Sequence, residues 1–161
     1  MVLTIQNRQR NLRIDVAALR RLCVCLYALA CRAAGLPTRR KTNNKSGDLL
    51  HIESVDLILC SDALITRVHA AVFNDPTTTD VITIPYAPTP TSGATVEIFV
   101  NTRLARDAQK SAHELALYIA HAFDHLAGYD DRLPCSRDAM RKRELSWLGV
   151  CEEHGLFDIL R

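Results

Sequence analysis

Two histidines and one aspartate in the C-terminal half of the chain have the residue types and spacing of a metal site. His121 and His125 are four residues apart in a segment with helical periodicity, so both imidazoles project from one helix face. Gly128 then lets the backbone reverse, and Asp131 returns a carboxylate. The pattern HxxxHxxGxxD therefore predicts two nitrogen ligands and one oxygen ligand around a single divalent ion.

Three protein ligands leave at least one coordination position for water or substrate, which is typical of a catalytic zinc rather than a structural one. A structural zinc is usually closed by four protein ligands, often thiolates, and none of the six cysteines lies within this cluster. The alternative is that the histidines are ordinary core or surface groups and that the aspartate only marks a turn.

Ala122 follows the first histidine, at the position where zinc proteases of the HExxH type carry a glutamate as general base. Alanine cannot accept a proton. Peptide hydrolysis with the same ligands therefore stays an alternative that requires a base from elsewhere in the chain.

Strand-like and helix-like segments interleave in the chain that must position these side chains. Strands are predicted at residues 2–6, 51–60, 81–86 and 96–101. Helices are predicted at residues 15–35, 62–73, 103–127 and 136–148, with Asp15 and Asp62 as N-caps. Since no βαβ repeat is sustained, we expect an α+β fold in one domain spanning residues 1–161. It should have a small mixed sheet packed by helices, with the metal site on a long helix and the turn after it.

The composition is that of a folded domain. The chain has 161 residues, of which 48% are hydrophobic and 24% charged, which excludes a disordered tail or a collagenous repeat. In the last helix, Met140, Leu145 and Trp147 or Leu148 are expected to face inward. The six cysteines form no CxxC motif and no secretory segment precedes them, so we expect reduced core residues, a cytoplasmic protein and no membrane partner.

Positive charge is concentrated in the first part of the chain. Residues 1–45 contain ten Lys or Arg side chains and one acidic side chain, a net charge of +9, although the whole chain carries only +2. Such segregation suits a polyanion, because phosphates attract Lys and Arg through counterion release. The alternative is a basic helix and loop that are simply solvated.

The stretch HAFDHLAGYDD, residues 121–131, resembles the signature HGxLHLxGYDH of the YbeY family of bacterial rRNA maturation factors, which are metal-dependent single-strand endoribonucleases. The similarity extends to TDVITIP at residues 79–85, where the family has TDVLSFP, and to VEIFVN at residues 96–101. Glu114, Leu115, Met140 and Glu144 also match. The resemblance covers residues 51–148, and the N-terminal third agrees only in pattern.

The resemblance implies that His121 and His125 are metal ligands and that Asp131 stands where the family has its third histidine. Zinc is the expected ion, and manganese is the alternative because a carboxylate also suits harder metals. The implied function is cleavage of single-stranded RNA in rRNA 3′-end maturation and ribosome quality control. The implied partners are rRNA and the ribosomal subunit, with no DNA.

Phe73 departs from the family, which commonly carries an arginine there beside the active site. We expect the phenylalanine to pack in the core, and a scissile phosphate would then need another base. The candidate RNA-binding residues are Arg39, Arg40, Lys41 and Arg67. This departure and Asp131 keep open a non-catalytic, ribosome-associated RNA-binding module with a structural or vestigial metal.

Three acidic residues near the motif have open roles. Glu114 lies seven residues before His121 on a similar helix face, so it either orients an imidazole or fills an ordinary surface or core position. Asp80 is expected to cap or brace the loop before its strand, or else to face the cleft. Asp124 either relays protons or is solvated or hydrogen-bonded to a turn.

Overall fold

Strands and helices alternate through the chain in the computed structural model, which describes residues 1–35 and 52–161. The strands are β1 (Val2–Asn7), β2 (Ile52–Cys60), β3 (Val81–Tyr86) and β4 (Ala94–Asn101). The helices are α1 (Val16–Ala33), α2 (Asp62–Phe73), α3 (Thr102–Asp107), α4 (Ser111–Leu126) and α5 (Pro134–Glu153). Arg39, Arg40 and Lys41 lie outside the described residues, as does His51.

The four strands form one mixed sheet in the order β1-β2-β4-β3. The first three strands in that order are parallel, and β3 pairs antiparallel with β4 at the edge, with Val81 opposite Val100. Alternate residues of β2 and β4 point to opposite faces, so the sheet divides the core in two. The predicted α+β fold with a small mixed sheet is confirmed.

The larger part of the core lies between one face of the sheet and the helices α1, α4 and α5. It includes Leu19, Leu22 and Leu26 of α1 and Leu115, Ile119 and Phe123 of α4, each at the three- or four-residue spacing of a helix face. On the opposite face, Ile65 of α2 packs with Ile58, Ile82 and Phe99. The predicted metal-bearing helix therefore lies against the sheet with its apolar side fully buried.

The single long helix predicted at residues 103–127 is wrong: the chain forms two helices, α3 and α4, with Ala108 in an extended conformation between them. Asn101 caps α3 by accepting from Arg103 N–H at 3.0 Å, and Thr102 Oγ1 donates to the Cys60 carbonyl at 2.9 Å. These bonds hold α3 at the strand ends, whereas α4 packs against α1. Residues 108–110 contain no Gly or Pro, so the local sequence does not indicate that the helix is interrupted there.

The other helix boundaries hold with small corrections. Asp15 caps α1 as predicted, since its Oδ1 accepts from the N–H groups of Ala17 and Ala18 at 3.0 Å. The cap of α2 is Ser61, not Asp62, which instead accepts from Asn101 Nδ2 at 2.7 Å.

The last helix also differs from the prediction. It begins with Pro134, a residue suited to the first helical position, and continues to Glu153. Met140, Trp147 and Leu148 are buried as expected, but Leu145 is exposed, so its predicted inward position is wrong.

The six cysteines are all free thiols. Cys23, Cys60 and Cys151 are buried, and burial raises the pKa of the Cys23 thiol to about 12. Cys135 lies exposed on α5, so its predicted place in the core is wrong. Among the helices of residues 1–35 and 52–161, none combines the length and apolarity needed to span a bilayer.

Candidate metal centre

His121 and His125 lie on one face of the last turns of α4, and the turn that follows brings Asp131 to them. Gly128 makes this turn with φ of 94°, a left-handed conformation that favours glycine, and its N–H donates to the His125 carbonyl at 2.9 Å. The two Nε2 atoms are 3.0 Å apart, and Asp131 Oδ2 is 4.0 Å from His121 Nε2. One ligand atom from each residue lies within 4.8 Å of the others.

Hydrogen bonds at the other ring nitrogens determine which atoms are available to a metal. His125 Nδ1 is 3.0 Å from the Tyr129 carbonyl, which can only accept, so Nδ1 carries the proton and Nε2 a lone pair. His121 Nδ1 likewise donates to Glu144 Oε1 at 2.6 Å. Two lone pairs facing each other at 3.0 Å repel unless a shared proton or a metal ion lies between them. Tetrahedral zinc with ordinary Zn–N bonds separates such nitrogens by about 3.3 Å, so these residues fit a divalent ion.

Glu144 on α5 is the acidic residue that orients His121. Its side chain is buried, and Arg141 Nη1 lies 3.7 Å from Glu144 Oε2. Burial lowers the pKa of His121, but the hydrogen bond and charge of Glu144, with the charges of Asp80 and Asp131, outweigh it and raise the pKa overall. The orienting role considered for Glu114 therefore belongs to Glu144. Because Glu144 lies 23 residues after His121, no local sequence pattern connects the two.

The three candidate ligands lie in a cleft of about 470 Å³ between α2, β3 and the end of α4. Its walls include Phe73, Asp80, Val81 and Pro85. Asp80 does both things considered for it: it faces the cleft, and its Oδ1 accepts from Val81 N–H at 2.8 Å and from Thr79 Oγ1 at 3.1 Å. The cleft has the size of a small-ligand site and is open to solvent.

A family model described as "Endoribonuclease YbeY" matches residues 4–151 of this sequence. This chain belongs to the YbeY family. An "Endoribonuclease YbeY" of Chlamydia caviae is 30% identical over 119 residues, which cover 66% of this chain and 75% of that protein. The one of Chlamydia felis is 28% identical over 164 residues, covering 94% and 92% of the two chains.

The fold itself has a solved counterpart in the solution structure of TM1509 from Thermotoga maritima. The two chains superpose with a TM-score of 0.54 at 19% sequence identity, and the match covers 98% of this chain and 96% of that one. At this identity the likeness concerns the fold alone.

Asp124 departs from the YbeY signature, in which a leucine precedes the second histidine. Its carboxylate is fully buried and accepts two hydrogen bonds from Arg143 of α5, at 2.7 and 2.8 Å. Burial raises the pKa of Asp124, and the Arg143 charge opposes this rise. Asp124 thus joins two helices, and its buried, paired position does not suit the proton relay considered for it.

Arg143 also connects this ion pair to the metal-site turn. Its guanidinium lies 3.6 Å from the centroid of the Tyr129 ring, a cation–π contact. The Tyr129 hydroxyl donates to the Ala33 carbonyl at 3.0 Å, and its own carbonyl accepts from His125. Asp124, Arg143 and Tyr129 therefore fix the turn that sets the tautomer of His125.

The sequence showed that Phe73 departs from the YbeY pattern, but it did not indicate that this side chain lines the cleft. The prediction that it packs in the core is wrong: its side chain is 55% exposed and forms part of the cleft wall. Arg67 is exposed on α2 and is not among the residues that line the cleft. Within the described part of the chain, the cleft lining contains no Lys or Arg.

Proposed function

We propose that this chain is a metal-dependent endoribonuclease that cleaves single-stranded RNA in rRNA 3′-end maturation and ribosome quality control. The observation that carries the proposal is the pair of imidazoles whose Nε2 lone pairs converge beside Asp131 at an open cleft. Membership of the YbeY family supports RNA as the substrate.

In this mechanism His121, His125 and Asp131 hold one divalent ion, zinc or alternatively manganese. When bound, the ion would polarise a phosphoryl oxygen and lower the pKa of a water molecule that attacks phosphorus. Glu144 keeps the proton of His121 on Nδ1, and the Tyr129 carbonyl does the same for His125, so both rings stay ready to bind. Asp131 gives the site one more negative charge than a third imidazole would.

Ala122 argues against peptide hydrolysis by the same ligands. Its side chain is fully buried in the core, so the position next to His121 contributes no proton acceptor to the cleft. Among the described residues that line the cleft, the carboxylates are Asp80 and Asp131. Asp80 Oδ1 already accepts from two donors, and Asp131 is assigned to the ion.

RNA binding in this proposal extends beyond the cleft. Arg67 and the basic residues Arg39, Arg40 and Lys41 would contact the phosphate backbone, because the cleft lining that the structure describes has no cationic side chain of Lys or Arg. The partners proposed are rRNA and the ribosomal subunit in the cytoplasm, with no DNA and no membrane, and residues 1–161 act as one domain.

Cleavage of a labelled single-stranded RNA ending in an rRNA 3′ precursor tests the function, with casein digestion measured in parallel. We expect RNA cleavage that excess chelator abolishes and added zinc or manganese restores. His125→Ala should be inactive, whereas His154→Ala, an exposed histidine remote from the motif, should cleave normally.

Three results would overturn the proposed function. Full RNA cleavage in excess chelator would exclude a catalytic ion, and digestion of casein alone would identify a protease. Unchanged RNA affinity in His125→Ala with no cleavage by either form would identify a non-catalytic binding module.

A further inference from the structure

Phe73 presents an aromatic ring to the same cleft that holds the candidate metal ligands. It is the last residue of α2, and more than half of its side chain is exposed. His69 lies one helical turn earlier and also lines the cleft, with its ring centroid 5.2 Å from that of Phe73. Two adjacent aromatic rings therefore form one wall, next to the edge strand β3.

The structure around Phe73 holds this wall in place. His69 Nδ1 donates to the Thr77 carbonyl at 3.0 Å, and Asp75 Oδ1 accepts from Thr77 N–H at 3.0 Å. Asn74 ends α2 in a left-handed conformation, with its N–H donating to Ala70. These bonds hold His69 and the backbone that follows Phe73, so the backbone of this wall is already ordered when a ligand binds.

The charges of the cleft indicate what kind of ligand this wall suits. The described lining residues include the carboxylates Asp80 and Asp131 and three histidines but no Lys or Arg, so the phosphates of RNA find no lysine or arginine side chain there. Apolar surface comes instead from Phe73, Val81 and Pro85. A flat, uncharged group that a sugar links to a phosphate fits this distribution, and a nucleobase is such a group.

We propose that Phe73 is a base-stacking residue that binds an unpaired nucleobase of the RNA substrate beside the scissile phosphate. This inference rests on the proposed function and adds a source of substrate affinity to it. A base within a duplex has both faces covered by its neighbours, so stacking on Phe73 selects single strands. Where the family commonly has an arginine that suits the phosphate, this chain binds the neighbouring base.

A series of single-stranded RNA substrates with one abasic site, moved one nucleotide at a time, tests the stacking. For the metal-loaded protein, we expect one abasic position near the cleavage site to raise KM by about 5- to 150-fold, with kcat little changed. Phe73→Leu keeps the apolar bulk but lacks the aromatic face. This variant should show the raised KM on intact RNA and no further rise on the abasic substrate.

Two further variants complete the design. Phe73→Trp should keep the abasic effect because it keeps an aromatic face. Val72→Ala, an exposed neighbour outside the cleft lining, should behave as the unaltered protein. Equal KM for all abasic substrates would overturn the stacking, as would a Phe73→Leu defect that is the same on intact and abasic RNA.

These experiments distinguish failure of the stacking proposal from failure of the proposed function. If the protein cleaves RNA but no abasic position matters, only the stacking fails. If the protein cleaves no RNA, the proposed function fails, and equilibrium binding of the same oligonucleotides, followed by fluorescence anisotropy, still decides whether Phe73 stacks on a base.

Discussion

At the scale of single residues, the candidate site divides into side chains that local spacing reveals and side chains that only the fold brings near. His121, His125 and Asp131 lie within eleven residues of one another, so helical geometry and one glycine turn sufficed to predict their proximity. Glu144 reaches His121 from another helix, and Phe73 reaches the cleft from a third. The contact of Glu144 with His121 follows only from tertiary packing, and the place of Phe73 beside the site was indicated only by the resemblance to the YbeY family.

Replacing Asp131 tests whether the carboxylate is the third ligand. Asp131→Ala should lower metal affinity or cleavage rate by about ten-fold or more, whereas Asp131→His, which supplies an imidazole instead, should retain or raise metal affinity. Titration with metal and a competing chelator measures the metal affinity of both variants, and Asp130→Ala is the control from the same turn. An Asp131→Ala protein with unaltered metal affinity would place the third ligand elsewhere.

Replacing Glu144 tests the orientation of His121. Glu144→Gln keeps an oxygen that can accept from Nδ1 but removes the charge, so metal affinity should fall by about ten-fold. Glu144→Ala also removes the acceptor and should lower it by up to about a hundred-fold. The same titration applies, and Glu152→Gln, an exposed glutamate of α5, serves as control. Equal affinity in all four proteins would show that His121 does not need this partner.

At the scale of elements, the site depends on how α4 and α5 are joined. The hydrophobic contacts between these helices do not determine the conformation of the turn after α4. Arg143, which is paired with the buried Asp124, also contacts the Tyr129 ring and so restrains this turn. The sequence predicted helical structure in both segments but not this connection, since charged residues with helical spacing are usually solvated. The division between α3 and α4 was missed for a similar reason, because Asn101 and Thr102 hold α3 at the strand ends whereas α4 packs against α1.

Breaking the Asp124–Arg143 pair from the arginine side should destabilise the protein strongly. Arg143→Met leaves the buried carboxylate without its partner, and the free energy of unfolding should fall by about 3 kcal/mol. Adding Asp124→Leu to Arg143→Met should recover most of this loss, because an apolar pair can replace a buried ion pair. Urea unfolding measures the effect.

The control for this pair is Arg103→Met, which removes an exposed ion pair with Asp107 and should change stability little. A loss in Arg143→Met no larger than in Arg103→Met would contradict the role given to the buried pair.

At the scale of the whole molecule, the fold class followed from the alternation of strand and helix patterns, and the structure confirms it. The order of the strands did not follow, since pairing of β2 with β4 joins segments separated by α2 and β3. The charge distribution is also a property of the whole chain. The described cleft lining contains carboxylates, while the N-terminal 45 residues carry a net charge of +9. We therefore assign the electrostatic attraction of RNA to the N-terminal segment and the metal-dependent cleavage to the cleft.

Salt dependence tests this division. If the basic N-terminal segment contacts the RNA backbone, affinity for single-stranded RNA should fall steeply with salt. In a plot of log affinity against log salt concentration, each phosphate contact should contribute about −0.7 to the slope. Replacing Arg39, Arg40 and Lys41 together by glutamine should flatten the slope by about 2. Arg103→Gln is the control, because that side chain already pairs with Asp107. A flat response in the unaltered protein would remove the segment from the binding surface.

The most direct test of a single ion held by two imidazoles and a carboxylate is elemental analysis of the purified chain. The unaltered protein and His154→Ala should each contain about one equivalent of zinc or manganese, because the three ligands are arranged for one tetrahedral or similar site. The His121→Ala/His125→Ala double variant should contain almost none. Equal metal content in the double variant and the unaltered protein would contradict the account.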